Sequence, residues 1–554
     1  MDSRTLRGTG VVAGIAYAPA AWTRQAPVPP QVSGTVAEEA RPDEVARFKA
    51  AAETVAQRFT DRASAATGVA TEVLGATAAL ARDRGWLRAA TKLINSGATA
   101  ETATVQAIEQ FVVQFEKLGG IMAERTTDLR DIRNRVIAEL MGLPEPGVPK
   151  PTHEVILCAD DLAPADTAGL DATLIKALVT RLGGPTSHTA IIARQLGIPC
   201  VVAAGGLADV EEGELLLVDG TSGVLTRSAD PSEAQRLVEE SAALQAEIRT
   251  WEGPAQTADG VAVQLLANVQ DGAAARKAAG THAEGIGLYR TELSFLTAQT
   301  EPSVAEQARI YGEVFAAFPD QKVVVRTLDA GSDKPVPFAN HEHEANPALG
   351  VRGIRLGWTN QGLVDRQLDA IAQAAEDNNV SAPWVMAPMV ATVDEAYEFA
   401  QKCRARDLKP GIMVEVPAAA LLADAFLAEV DFFSIGTNDL TQYTMAADRM
   451  SSHLATLTDP WQPAVLRLVQ LACQAGERAG KPVGVCGEAA ADPLLACVLI
   501  GLGVSSLSMA MTAIPSVGVQ LGKVTMECCR EVAAAVVDAR NSRDAKELAV
   551  SMLL

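Results

Sequence analysis

Two groups of residues in this chain have types and spacings that can do chemistry. The first centres on one histidine, His188, in GGPTSHTAIIARQLGIPCVV, residues 183–202. It follows a Gly-Gly turn and precedes an apolar run that reads as a helix. A turn-to-helix junction presents free backbone N–H groups and the positive end of the helix dipole. Such a place favours a neutral imidazole and accepts a phosphoryl group carried on it. Gly183 and Gly184 permit close backbone approach, and Thr186, Ser187 and Thr189 put hydroxyls around the ring. A lone histidine is more often a buried helix cap. The glycines, the hydroxyls and the helix start together point to a phosphate-handling residue.

The second group lies in the C-terminal half. Arg290, Arg326, Arg352 and Arg449 can pair with carboxylate and phosphate oxygens through two N–H groups at once. Each alone is commonly a surface ion pair, but four on one expected face suit a small substrate bearing both groups. Glu415 and Asp439 supply two carboxylates, the usual protein share of a Mg²⁺ site whose octahedron is completed by water and substrate. Salt bridging to the arginines is the rival role for these two. Asn438 can donate to a phosphate oxygen, and Cys486 can deliver a proton if it faces an anion site. Lys334 adds charge after a Gly-Ser-Asp turn, and His341 and His343 read as a solvated loop rather than a metal site.

The elements that must position these residues follow from periodicity. Residues 1–24 read as strand and turn, with the turn at Pro19, before a Pro-rich break. From about Pro42 to Leu143 apolar residues recur at helical spacing, as in Ile108, Phe111, Val112, Phe115 and Leu118, giving about four helices. Short βα-type runs then surround His188 and are expected to join the N-terminal strand, which makes the helical stretch an insertion. Beyond residue 259, strand-like runs alternate with helical ones about eight times, the number that closes a (β/α)₈ barrel. An open, doubly wound sheet is the alternative, because periodicity does not decide closure. Most of the runs end in Arg290, Arg326, Glu415, Asn438–Asp439 or Cys486, and a barrel carries its active site at those strand ends.

Composition bounds the class. The chain has 554 residues, 48% hydrophobic and 21% charged, as expected for several globular domains. A net charge of −21 speaks against nucleic acid and anionic membrane surfaces and suits a basic protein partner. The 8 cysteines include no C-x-x-C pair, so neither a zinc site nor a redox motif is written, and a reducing cytoplasm fits best. No apolar run approaches the roughly 20 residues of a membrane span, so no membrane insertion is expected.

GGPTSHTA resembles the phosphohistidine signature of the phosphoenolpyruvate (PEP)-utilising enzymes, and the Thr after the histidine is most similar to the Enzyme I branch of the bacterial sugar phosphotransferase system. GIGLYRTELSFL, VVVRTLDAGSDKP, NPALGVRGIR, GIMVEVPAA, FFSIGTNDLTQYTMAADR and VGVCGEAA resemble further motifs of that family, in the family's order. The resemblance implies a multidomain α/β chain. A phosphohistidine domain (1–30 and 144–230) would hold an inserted helical HPr-binding subdomain (31–143), and a linker helix (231–258) would lead to a PEP-binding, dimerising TIM barrel (259–554).

It also implies roles. Arg290, Arg326, Arg352, Arg449, Asn438 and Asp439 would hold PEP. Glu415 and Asp439 would hold Mg²⁺. Cys486 would protonate the pyruvate enolate, and Thr167 would hydrogen-bond the resting His188. The implied activity is transfer of the PEP phosphoryl group to His188 and then to the carrier protein HPr, in a cytoplasmic homodimer. Pro185 departs from the family, where many members carry Arg; it suits a helix start but removes a cation. Dikinase-type relatives need a large ATP-binding domain, for which the roughly 180 mostly helical residues before His188 have no Gly-rich phosphate loop.

Overall fold

The computed structural model describes residues 5–24, 35–65, 69–118, 125–149, 151–162, 170–184, 187–295, 298–331, 336–339, 344–449, 451, 454 and 456–554. The chain divides into two compact units, Met1–Ala246 and Glu247–Leu554.

Among the described residues the first unit is built on seven strands: β1 (Thr5–Val12), β2 (Ile15–Trp22), β3 (Val155–Ala159), β4 (Ile175–Thr180), β5 (Cys200–Gly205), β6 (Leu215–Asp219) and β7 (Val224–Arg227). They close on themselves in the order β1-β5-β4-β3-β2-β6-β7. β2 to β5 run parallel, while β1, β6 and β7 pair antiparallel. Alternating side chains feed two cores. Ile156, Ala177, Val179 and Val201 pack on one face, and Leu157, Leu178, Cys200 and Val202 on the other.

The expected turn at Pro19 is not there. The chain turns earlier, at Gly14, where φ is +130°, and Pro19 lies inside β2. The strand tolerates it because the Ala20 N–H donates to Glu214, which turns the Pro19 nitrogen toward the β3 edge. Pairing with β3 begins only at Ala20, so no ladder bond is lost.

Between β2 and β3 the chain makes five helices among the described residues, where about four were expected: Arg41–Ala65, Val69–Ala81, Arg84–Asn95, Ala100–Leu118 and Thr126–Leu140. Their apolar stripes meet in a separate core. Phe48 and Trp86 are fully buried there and meet edge to face at 5.7 Å. Asp83 caps the helix Arg84–Asn95 by accepting from the Gly85 N–H.

The second unit is a closed barrel of eight parallel strands: β8 (Gln264–Val269), β9 (Gly285–Arg290), β10 (Lys322–Arg326), β11 (Trp384–Ala387), β12 (Lys409–Val414), β13 (Phe432–Ile435), β14 (Val483–Val485) and β15 (Ser506–Met509). Pairing of β15 with β8 closes the sheet and removes its edges. Leu288, Val324, Met386, Met413, Phe432 and Cys486 fill the interior, while Val323, Val325, Ile412, Val414, Phe433 and Ile435 face the surrounding helices. The N-terminal end of the barrel is closed by Trp384, with the Lys322 and Lys409 ammonium groups 4.1 and 3.8 Å from its ring centre.

Candidate active site

Strand parity builds the barrel site. Side chains two residues apart face the same way, so the alternation that buries Leu288, Val324 and Met413 brings Arg290, Arg326 and Glu415 to the mouth of the barrel. Cys486 follows the last residue of β14, with its thiol 3.5 Å from the Ile435 carbonyl. Asp439 sits in the first turn of the helix Thr437–Met445, which directly follows β13.

The buried arginines are held by carboxylates. Arg326 is 5% exposed and pairs with Glu292 at 2.5 Å and Asp329 at 3.0 Å. Arg352 is 1% exposed and pairs with the same Asp329 at 3.1 Å and with Asp439 at 3.6 Å. Arg449 reaches the other oxygen of Asp439 at 3.9 Å. Arg290 is exposed, and its charge is felt at Cys486. The Asn438 side chain accepts from the Glu488 N–H at 3.4 Å. Thus Arg326, Arg352, Arg449 and Asp439 form one linked set with Asp329 and Glu292.

Glu415 is fully buried. Its Oε1 accepts the Met389 N–H at 2.6 Å. Burial, and then the neighbouring charges of Asp329 and Asp439, push its carboxyl up to about 8, against the pull of Arg326. Burial also pushes the Cys486 thiol up to about 11, although Ser434, Arg326 and Arg290 oppose it. Cys486 therefore stays protonated at neutral pH.

The donor set fits a divalent cation of the magnesium type. Glu415 and Asp439 are hard oxygen ligands, and Asp439 Oδ1 is buried with no hydrogen-bond partner. Among the described residues no three His, Cys, Asp or Glu side chains gather into a complete cage, so substrate and water would supply the remaining ligands.

In the first unit, His188 is the first residue of the helix His188–Leu196. Gly183 has φ +92° and the Ser187 N–H donates back to Gly184, which makes the tight approach to that helix. Ser187 caps the helix by accepting from the Ala190 N–H at 3.3 Å, and buried Thr189 donates to Asp161 at 3.2 Å. Thr167, Pro185, Thr186, Lys334, His341 and His343 lie outside the described residues.

Several members of these sites were not singled out from sequence. Asp329 and Glu292 are the counter-charges of Arg326, and both stand in the arginine motifs RTLDAG and YRTE. Tyr443 accepts from Arg352 at 3.4 Å and donates to the Ala348 carbonyl. Asn268, at the mouth-side end of β8, donates to the Cys486 carbonyl at 3.2 Å and accepts from Ser508 at 2.5 Å. Asp161 is fixed beside the His188 helix by Thr189. The alternation in QLLANV carried a signal for Asn268; nothing local marked Tyr443.

Three consecutive stretches match domains of one family: the N-terminal domain of PEP-utilising enzymes over residues 7–125, their mobile domain over 151–223 and their PEP-binding domain over 245–526. The chain belongs to the PEP-utilising enzyme family. A phosphoenolpyruvate-protein phosphotransferase of Streptomyces coelicolor is 45% identical, with 99% of each chain covered. Proteins of the same name from Haloferax volcanii and Geobacillus stearothermophilus are 40% and 39% identical, over 82% of each chain in the first case and 79% of this chain and 78% of the relative in the second. This PEP-utilising enzyme is accordingly a phosphotransferase. Among its described residues no helix is long and apolar enough to cross a membrane.

Proposed function

We propose that this chain transfers the phosphoryl group of PEP to its own His188 and then to the histidine of HPr, releasing pyruvate, as the first step of phosphotransferase-system sugar uptake. The observation that carries the reading is the barrel mouth, where Arg326 and Arg352 converge with Glu415, Asp439 and a protonated Cys486. A substrate with both a phosphate and a carboxylate suits that arrangement. The names of the relatives in three organisms support it independently.

Arg290, Arg326, Arg352, Arg449 and Asn438 bind the PEP oxygens and spread their charge. Glu415 and Asp439 hold Mg²⁺, which when bound supplies positive charge against the phosphoryl oxygens. A ring nitrogen of neutral His188 attacks phosphorus in line, and the P–O bond to the enol oxygen breaks. The pyruvate enolate takes a proton from the Cys486 thiol at its methylene carbon, and the thiolate regains a proton from solvent. His188 then passes the phosphoryl group to HPr, which the helical insertion docks. Thr167 steadies the resting histidine. The enzyme works in the cytoplasm as a homodimer formed through the barrel.

Intact-mass and peptide analysis after mixing with PEP and Mg²⁺, beside an ATP control, tests the reading. An acid-labile phosphate on His188 from PEP alone, absent in His188→Ala, is expected. Phosphate from ATP only, or HPr phosphorylation by His188→Ala, overturns it.

A further inference from the structure

We propose that the groove between the helices Arg41–Ala65 and Arg84–Asn95 is a docking surface for a short acidic segment of a partner protein. The inference does not rest on the reading of His188 or of the barrel. The groove has a volume of about 480 Å³ and is lined by Lys49, Arg84, Leu87, Arg88, Thr91 and Lys92, with no acidic residue among its lining. The edge-to-face contact of Phe48 with Trp86 fixes the two helices side by side and so sets Lys49 opposite the row from the second helix.

The four cations differ from most of the arginines around them. Arg47, Arg58, Arg62, Arg82, Arg125, Arg130, Arg133 and Arg135 in the same five-helix bundle are all in ion pairs. Lys49, Arg84, Arg88 and Lys92 are exposed, and among the described residues none of them has an ion pair. Glu53, one turn beyond Lys49, is taken by Arg82 at 2.7 Å. Arg84, Arg88 and Lys92 recur every fourth residue, and no acid stands three or four positions from any of them. Like charges at that spacing destabilise a helix, so the row does not serve the helix itself. It concentrates positive charge on a chain whose net charge is −21.

Geometry and long-range charge select the partner. The row advances about 6 Å per cation, the rise of four helical residues, which matches carboxylates repeated at the same interval on a facing helix. Leu87 and the methylene stems of the arginines and lysines offer an apolar floor for such a helix. The groove is lined by no aromatic ring on which a base could stack, and the net charge repels an extended polyanion beyond the groove. A short acidic segment meets only the local patch.

The test uses the full chain and a fluorescein-labelled helical peptide of alanine and glutamate with Glu at every fourth position. Anisotropy at low salt should show saturable binding that weakens about tenfold or more in Arg88→Glu/Lys92→Glu, and that raised salt suppresses. The neutral pair Arg88→Gln/Lys92→Gln should fall between, and circular dichroism should be unchanged in both because the side chains are exposed. Equal affinity in wild type and variants, or equal binding of a peptide with Gln for Glu, overturns the proposal. So does tighter binding of single-stranded RNA or inorganic polyphosphate at the groove. Self-association that the charge-reversed variant loses would give the groove to a second copy of the chain and overturn it as well.

Discussion

Gly353 and Met389 hold each other in the left-handed region, both at φ +61°, and a Cβ on the glycine would lie 2.9 Å from the Met389 Cβ. The contact joins the arginine-bearing loop of NPALGVRGIR to the loop after β11. It is reinforced by the Ile354 N–H donating to the Pro388 carbonyl at 3.2 Å. Its purpose is visible one bond away, because the Met389 N–H holds Glu415.

Gly353→Ala should therefore act on both stability and catalysis. The added methyl meets Met389, and alanine is strained at this φ. A loss of about 1–3 kcal/mol in unfolding free energy is expected, with weaker PEP-dependent phosphorylation because Glu415 loses its fixed position. An unchanged denaturation midpoint together with unchanged phosphorylation would refute the coupling.

Asp329 is fully buried and shared by Arg326 and Arg352. Asp329→Asn removes the counter-charge but keeps the shape. Arg326 keeps Glu292 and Arg352 keeps Asp439, but each loses one charge-assisted bond, which together costs about 2–4 kcal/mol. Urea unfolding of the variant should show that loss, and a midpoint equal to wild type would mean that the arginines find other partners.

Cys486→Ala should slow PEP turnover by about 10²-fold or more, the usual worth of a positioned proton donor. Exchange of phosphate between His188 and HPr should be spared, because no enolate forms there. Measuring the two half-reactions separately decides it, and equal loss in both removes the proton-donor role.

Burial pushes the Cys403 and Cys473 thiols up to about 12, from an ordinary value of 9.0. The unfolded chain thus gives up these protons first as pH rises. Stability is full below about pH 9 and falls toward pH 12, by up to about 1.4 kcal/mol per pH unit for each thiol. Urea midpoints at pH 8 and pH 10 should show the fall, and Cys473→Ala should make it shallower. A slope identical to wild type would contradict the assignment.

Much of this protein was legible in order along the chain. The eight strand-like runs after residue 259 are the eight barrel strands, and the motif ends Arg290, Arg326, Glu415 and Cys486 lie at the barrel mouth. Both follow from local rules, since a period of two sets which side chains share a face and polar groups collect where strands run out. The helical insertion was equally plain, because its apolar stripes recur at 3.6 residues over long segments. The turn at Pro19 was misplaced because a proline at an unpaired stretch of strand edge looks, in sequence, like one in a turn.

Tertiary structure alone decided closure and partnership. The sheet closes because β15 meets β8 across more than two hundred residues of chain, a pairing no local pattern contains. The ion pairs of Arg352 with Asp329 and Asp439, and the bond from Asn268 to Cys486, likewise join residues from different strands and loops. Sequence determined which groups could do chemistry and which faces they would occupy. Which buried charge answers which other charge depends on distance and burial, and those exist only once the barrel has closed.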